Sequence, residues 1–261
     1  MEDTDFFSNY ECMRNDKSQK RFMEALDSIR ATIDATKGYN PGEENPPRTG
    51  LEYFAAISSM IDHRIKSGEL TGIPELLRLL NVCLGSLKVI DSTIASRLIE
   101  DLVPLLDQEN KELLIQLCPV ISTLMSSTST IDEVQKKVSH YLCRASLSDD
   151  SRLRKNANNA IYGAHGIKSR CFKYLYKHIA EDPLRTLTVI KNLVFSDVVK
   201  DWTPYISTFI DLAENSNRAA RVKAIEILSK AVCDLPPETV AGIARKFAAD
   251  PHATSPDICG A

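Results

Sequence analysis

The stretch SDDSRLRKNANNAIYGAHGIKSRCFKYLYKHIAED, Ser148 to Asp182, decides the fold. An acidic, Ser-rich turn (Leu147 to Ser151) supplies capping side chains. The apolar positions Leu153, Ala157, Ala160 and Ile161 then recur every three or four residues, the period of a helix with one buried face. Gly163 to Gly166 interrupts the pattern and a second helix follows, so the stretch predicts a helical pair. It also carries a one-sided charge: from Ser151 to Ala180 there are seven Lys or Arg (Arg152, Arg154, Lys155, Lys168, Arg170, Lys173, Lys177), two His, and no Asp or Glu.

The same period runs outward in both directions. Residues 1 to about 15 read as an acidic mobile tail, and Lys17 to Thr36 as an amphipathic helix with Phe22, Leu26, Ile29 and Ile33 inward. Residues 37–50, with three prolines and three glycines, read as a loop, from which Thr49 caps the next helix. Helices are predicted at Leu51 to Lys66 (Leu51, Phe54, Ile57, Ile61, Ile65 inside), at Glu75 to Val89 behind a first-turn Pro74, and from a cap at Asp91 or Ser92 (Ile94, Leu98, Ile99, Leu102, Leu105 inside). Glu109 to Met125 and Ile131 to Leu147 follow, the latter with Val134, Val138, Tyr141 and Leu142 inward. Pro104 and Pro119 fall inside helical patterns and predict kinks or early ends. Beyond the opening stretch, helices are expected from Pro183 (Leu184, Leu187, Ile190, Val194 inside), after Trp202-Thr203-Pro204, over Arg218 to Val232, and from Pro237 to about Ala249. No segment alternates with the period of a strand.

A chain of 261 residues that is 43% hydrophobic can bury a large core. Its formal net charge of -3 excludes a globally basic nucleic-acid binder, so any such role must rest on a local patch. The seven cysteines (Cys12, Cys83, Cys118, Cys143, Cys171, Cys233, Cys259) stand singly without metal-ligand spacing, which suggests reduced thiols of the cytosol or nucleus. Neither a signal peptide nor an apolar run long enough for a membrane span is evident.

Few residues suggest chemistry. Gly163-Ala164-His165-Gly166-Ile167-Lys168 superficially resembles a phosphate-binding loop, but no strand precedes it and Ile167 separates glycine from lysine, so it reads as a turn. His63, His140, His165 and His178 lack partners at catalytic spacing, and Asp91, Asp101, Asp107 and Glu109 suit helix ends. Trp202 reads as a core plug rather than a binding anchor. No catalytic residue, cofactor, metal, membrane or small-molecule substrate is expected. The basic stripe has two readings. Its cations, interleaved with Tyr162, Phe172, Tyr174 and Tyr176, grip a phosphate backbone or an acidic protein; or the aromatics are core and the cations a solvated face.

Internal repetition narrows the architecture. Ala220-Arg221-x-x-Ala224-x-x-Ile227-Leu228, after Asn215-Ser216-Asn217, repeats Leu153-Arg154-x-x-Ala157-x-x-Ala160-Ile161 at a separation of 67 residues. The pattern resembles HEAT repeats, in which a small residue admits close helices and an Arg or Lys ties the turns. The expectation is therefore all-α: a HEAT-like (armadillo-like) α-solenoid of antiparallel helix pairs, about twelve helices, spanning 16–249 as one domain.

Three stretches, GLEYFAAISSMID (Gly50 to Asp62), SDVVKDWTPYISTFIDLAENSNRAARVKAIEILSKAV (Ser196 to Val232) and RKFAADP (Arg245 to Pro251), resemble the N-terminal region of the ribosomal-RNA-processing protein twelve family, long nucleolar HEAT-repeat proteins. Tyr53-Phe54 followed by Met60, and Trp202-x-Pro204, are the distinctive points. The resemblance implies a non-enzymatic scaffold in ribosome biogenesis: pre-rRNA processing, assembly and nuclear export of the small-subunit precursor. Its partners would be pre-rRNA, small-subunit pre-ribosome proteins and nuclear transport factors, and its place the nucleus and nucleolus with shuttling to the cytoplasm. Family members are several times longer, so 250–261 would be an irregular tail at a truncation point. The alternative is a nuclear transport or adaptor solenoid that binds peptides or a small GTPase without touching RNA.

Overall fold

The structure is a computed structural model, and its described residues are Glu24, Asp27, 50–86, 90–127, 132–164, 166–194, Ser196 and 198–248. The predicted tail 1–15, most of the helix Lys17 to Thr36, the loop 37–49 and the tail 250–261 lie outside them. Eleven α-helices and two 3₁₀ turns make up the described chain, without a strand. The α-helices are α1 (Gly50–Ser67), α2 (Ile73–Ser86), α3 (Ser92–Leu102), α4 (Lys111–Ser127), α5 (Asp132–Ser146), α6 (Ser151–Gly163), α7 (Lys168–Lys177), α8 (Pro183–Val194), α9 (Ile206–Asn215), α10 (Arg218–Ala231) and α11 (Pro237–Ala248).

The helices form two rows. In the even row α2 packs on α4, α4 on α6, α6 lightly on α8, and α8 on α10. In the odd row the 3₁₀ turn Val103–Asp107 follows α3 and packs on α5, and α5 packs on α7. Successive helices bridge the rows, as α1 with α2, α5 with α6 and α9 with α10. Contact passes from neighbour to neighbour along the even row and, in the odd row, from the 3₁₀ turn through α5 to α7, which is the arrangement of an α-solenoid. Its core is one continuous layer between the rows, with Ile57, Leu77, Ile99, Leu117, Leu142, Ile161, Leu175, Ile190, Phe209 and Ile227 at 0% exposure.

Local chemistry sets the helix ends. Asp91 accepts from the backbone N–H of Thr93 and Ile94, and Asp150 from those of Arg152 and Leu153. Asn217, 67 positions after Asp150, accepts from Ala220, so the two copies of the repeat share their cap. They also share an arginine tie. Arg154 Nη1 donates to the Ser148 carbonyl at 2.6 Å, and Arg221 Nη2 to that of Glu214 at 3.1 Å. At the end of α1, Gly68 (φ 74°) takes the left-handed conformation that lets its N–H reach the Ile65 carbonyl and the Glu69 N–H that of Arg64. The Arg64 guanidinium donates to the Thr71 carbonyl at 2.6 Å and ties that turn too.

The two prolines behave differently. α3 ends at Leu102 and Pro104 enters a 3₁₀ turn, as expected. α4 instead runs through Pro119 to Ser127. Proline has no N–H, so the Ile115 carbonyl four residues back loses its intrahelical donor. Asn156 of α6 supplies a replacement, donating Nδ2 to Ile115 O at 2.9 Å. Along the same seam Ala157 and Ala160 are buried, and a Cβ at Gly163 would stand 2.5 Å from Ser122 Oγ, so a larger residue there would have to turn that hydroxyl aside.

Two predicted core positions are exposed. Ile94 (44%) and Leu184 (37%) sit in first turns, ahead of the part of α3 and α8 that neighbouring helices cover. Tyr141 and Ile65 are half-buried. Trp202 is 3% exposed against Phe172 and Phe209, a core plug as expected.

Two outcomes follow. Asn156→Ala should lower stability by about 1–3 kcal/mol in urea denaturation, the cost of an orphaned buried carbonyl. In a Pro119→Ala background the restored N–H takes that carbonyl, so the same substitution should cost clearly less. The second concerns α8 and α10, which Lys191 Nζ and Glu226 Oε1 join at 2.7 Å. Partial burial alone would raise the Glu226 carboxyl, but the hydrogen bond from Lys191 and the charges of Lys223 and Lys191 outweigh it and hold the group below its ordinary range. Its contribution is whole above the unfolded-state value and fades as pH falls through the lower folded-state one. The stability gap between wild type and Glu226→Gln should therefore narrow in acid denaturation below about pH 4.

Candidate nucleic-acid interface

The seven cations of the sequence stripe do not share one surface. Those of α6 belong to the even row and those of α7 to the odd row, and the exposed sides of the two rows face apart. On α6, Arg152 Nη1 lies 3.4 Å from Glu112 Oε2, and the other oxygen of that carboxylate is 3.4 Å from Arg78 Nη2, so one acid links α2, α4 and α6. Arg154 is committed to the turn that it ties. Lys155 is exposed and, among the described residues, has no ion-pair partner. On α7, Arg170 pairs with Asp132 at the start of α5. Lys168 is half-buried and sits on the other side of the helix from Lys173 and Lys177, which are exposed, one turn apart, and also without an ion-pair partner among the described residues.

The aromatic residues divide likewise. Phe172 is 2% exposed. Tyr176 packs on Tyr205 and Phe209, and its hydroxyl shares a hydrogen bond of 2.6 Å with that of Thr208. The Tyr162 hydroxyl accepts from Asn192 Nδ2 at 2.8 Å, and burial raises its pKa. These three serve packing. Tyr174 differs: it is half-buried at the surface between two imidazoles, with ring centroids 4.9 Å from His140 and 4.5 Å from His178. His178 Nδ1 is 2.8 Å from Glu181 Oε1, an acidic partner the sequence spacing did not suggest.

The His140–Tyr174 contact brings in residues that the sequence reading missed. On α5, Lys136, Lys137, His140 and Arg144 are exposed along one face, opposite buried Val138 and Leu142. Lys136 is one turn before His140 and leans the same way, toward α7. The odd row therefore carries Lys136 on α5 and Lys173 with Lys177 on α7, two helices joined by the His140–Tyr174 contact. The α5 cations escape sequence inspection because Asp132 and Glu133 open the same helix and mask its charge.

The remaining titratable groups are dispersed. Among the described residues no three His, Cys, Asp or Glu converge as metal ligands, and no helix is long and apolar enough to cross a membrane. Cys83, Cys118, Cys143 and Cys171 are buried free thiols, and burial pushes Cys118 up to about 12.

No protein-family model matches the chain, and no curated protein matches it. Among solved structures it is similar to two crystal structures of engineered proteins from the Northeast Structural Genomics Consortium. One has a TM-score of 0.46 and 15% identity, covering 90% of this chain and 98% of that one. The other has a TM-score of 0.42 and 15% identity, covering 88% and 98%.

Brief acetylation followed by peptide mass spectrometry checks the division of the cations. Lys155, Lys173 and Lys177 should react early, and Lys191, with its side chain 24% exposed and paired to Glu226, late.

Proposed function

We propose that this chain is a non-catalytic α-solenoid scaffold that holds RNA against the outward side of its odd row during assembly of small ribosomal subunit precursors. The observation that carries the reading is that Lys136, Lys173 and Lys177 are exposed on two neighbouring helices of one row, which the His140–Tyr174 contact joins. Cations without internal partners are available to displace the counterions of a phosphate backbone. Arg152, Arg154 and Arg170 contribute less, since each is already engaged within the protein. The ribosomal context rests on the resemblance in Gly50 to Asp62, Ser196 to Val232 and Arg245 to Pro251, and implies nucleolar residence.

Gel-shift titration with a structured RNA at rising salt tests the proposal. Lys173→Glu with Lys177→Glu should weaken binding, and loss of two phosphate contacts should flatten the slope of log affinity against log salt by about 1.4 to 1.8. Arg152→Glu should matter much less. Affinity and slope unchanged in the double variant would remove RNA from the reading.

A further inference from the structure

A groove of about 760 Å³ runs along the edge of the odd row, between the 3₁₀ turn Val103–Asp107 and α5. Its floor is apolar. Leu106, Leu114, Ala145 and Leu153 line it at 5–7% exposure, where residues deeper between the rows are at 0%. Its walls are opposed in net charge: on α5 Lys136, Lys137 and Arg144 outnumber Glu133, and on the facing side Asp107 and Glu109 outnumber Lys111. His140 lines it as well, and the charge of Arg144 also acts on Tyr174. The groove therefore adjoins the surface assigned to RNA and shares the α5 crest with it.

Elsewhere in this molecule, opposite charges on neighbouring elements close on each other, as in Arg152–Glu112, Arg185–Asp149, Arg170–Asp132 and Lys191–Glu226. Across the groove they do not: among the described residues, Asp107, Glu109, Lys137 and Arg144 form no ion pair. An element with complementary flanks would satisfy both walls.

We propose that this groove docks an amphipathic helix from a protein partner. Its apolar side lies on Leu106, Leu114, Ala145 and Leu153, an acidic flank meets Lys137 and Arg144, and a basic flank meets Asp107 and Glu109. The α5 wall from Glu133 to Ser148 is about 22 Å long, room for roughly four helical turns whose anchors recur at i, i+3 or i+4, and i+7. Opposed wall charges select such a helix over one with flanks of a single sign, because the wrong sign at either wall leaves like charges facing.

The test uses the full chain and synthetic, side-chain-bridged peptides of about 16 residues with one leucine face and different flanks: acidic and basic, both acidic, both basic, or neutral. Fluorescence anisotropy should rank the oppositely flanked peptide first, by about tenfold over the single-sign peptides. Lys137→Glu with Arg144→Glu makes both walls acidic and should move the preference to the wholly basic peptide. Ala145→Trp, which fills the floor, should abolish binding with helicity by circular dichroism retained. If that variant fails to fold, the exposed charge variants decide alone. Equal binding of all four peptides, binding of none, or an unchanged ranking in the charge variant overturns the proposal. So does self-association of the chain without peptide that the charge variant abolishes, which would assign the groove to a second copy. The peptide ranking should be unaffected by Lys173→Glu with Lys177→Glu, which lie outside the groove lining, so failure of the RNA proposal and failure of this one are separable.

Discussion

The constraint on which the solenoid depends is the satisfaction of backbone at the α4–α6 seam. Two helices approach closely there because Ala157, Ala160 and Gly163 present little side chain, and Gly163 leaves room for the Ser122 hydroxyl that a methyl group would push aside. Within that approach α4 carries Pro119 and therefore an Ile115 carbonyl without its helical donor. A buried carbonyl without a partner is costly, and water has little access between helices this close. Asn156 resolves the problem from the neighbouring helix. The defect of one helix becomes a specific attachment for the next, and α5 and α7 take their places against the pair so fixed.

The remaining ties are polar and sit at the edges. Asp150 with Arg154 and Asn217 with Arg221 fix the turns before α6 and α10 in the same manner, 67 residues apart. Arg185 extends the scheme between neighbours, donating to the Leu147 carbonyl at 3.0 Å and pairing with Asp149 at 2.8 Å. Arginine suits this task because its planar fork reaches several acceptors while its stem covers apolar surface.

Helix placement was legible because it depends on local chemistry. The caps at Asp91, Asp150 and Asn217, the break at Gly163 to Gly166, and the early end of α3 before Pro104 follow from residues within a few positions of each other. Pro119 was not legible in the same way, since its remedy comes from Asn156, 37 positions on and in another helix. The basic stripe failed as a unit for a related reason. Adjacency in sequence put α6 and α7 cations together, but successive helices of a solenoid belong to alternate rows, so the residues that join Lys173 and Lys177 lie two helices back rather than one. Lys136 and His140 occupy that place, hidden in the sequence by the acids that open their helix.

Glu112 lies between two guanidinium groups borne by the preceding and following helices of its row. All three side chains are about half open to solvent, so each attraction is modest and screened by dissolved ions. Any curling of the row must stretch or compress both spans together, which makes the carboxylate a shared hinge-pin. The superhelix should consequently be stiffer in dilute buffer and more pliable in brine, with no change in its hydrocarbon interior.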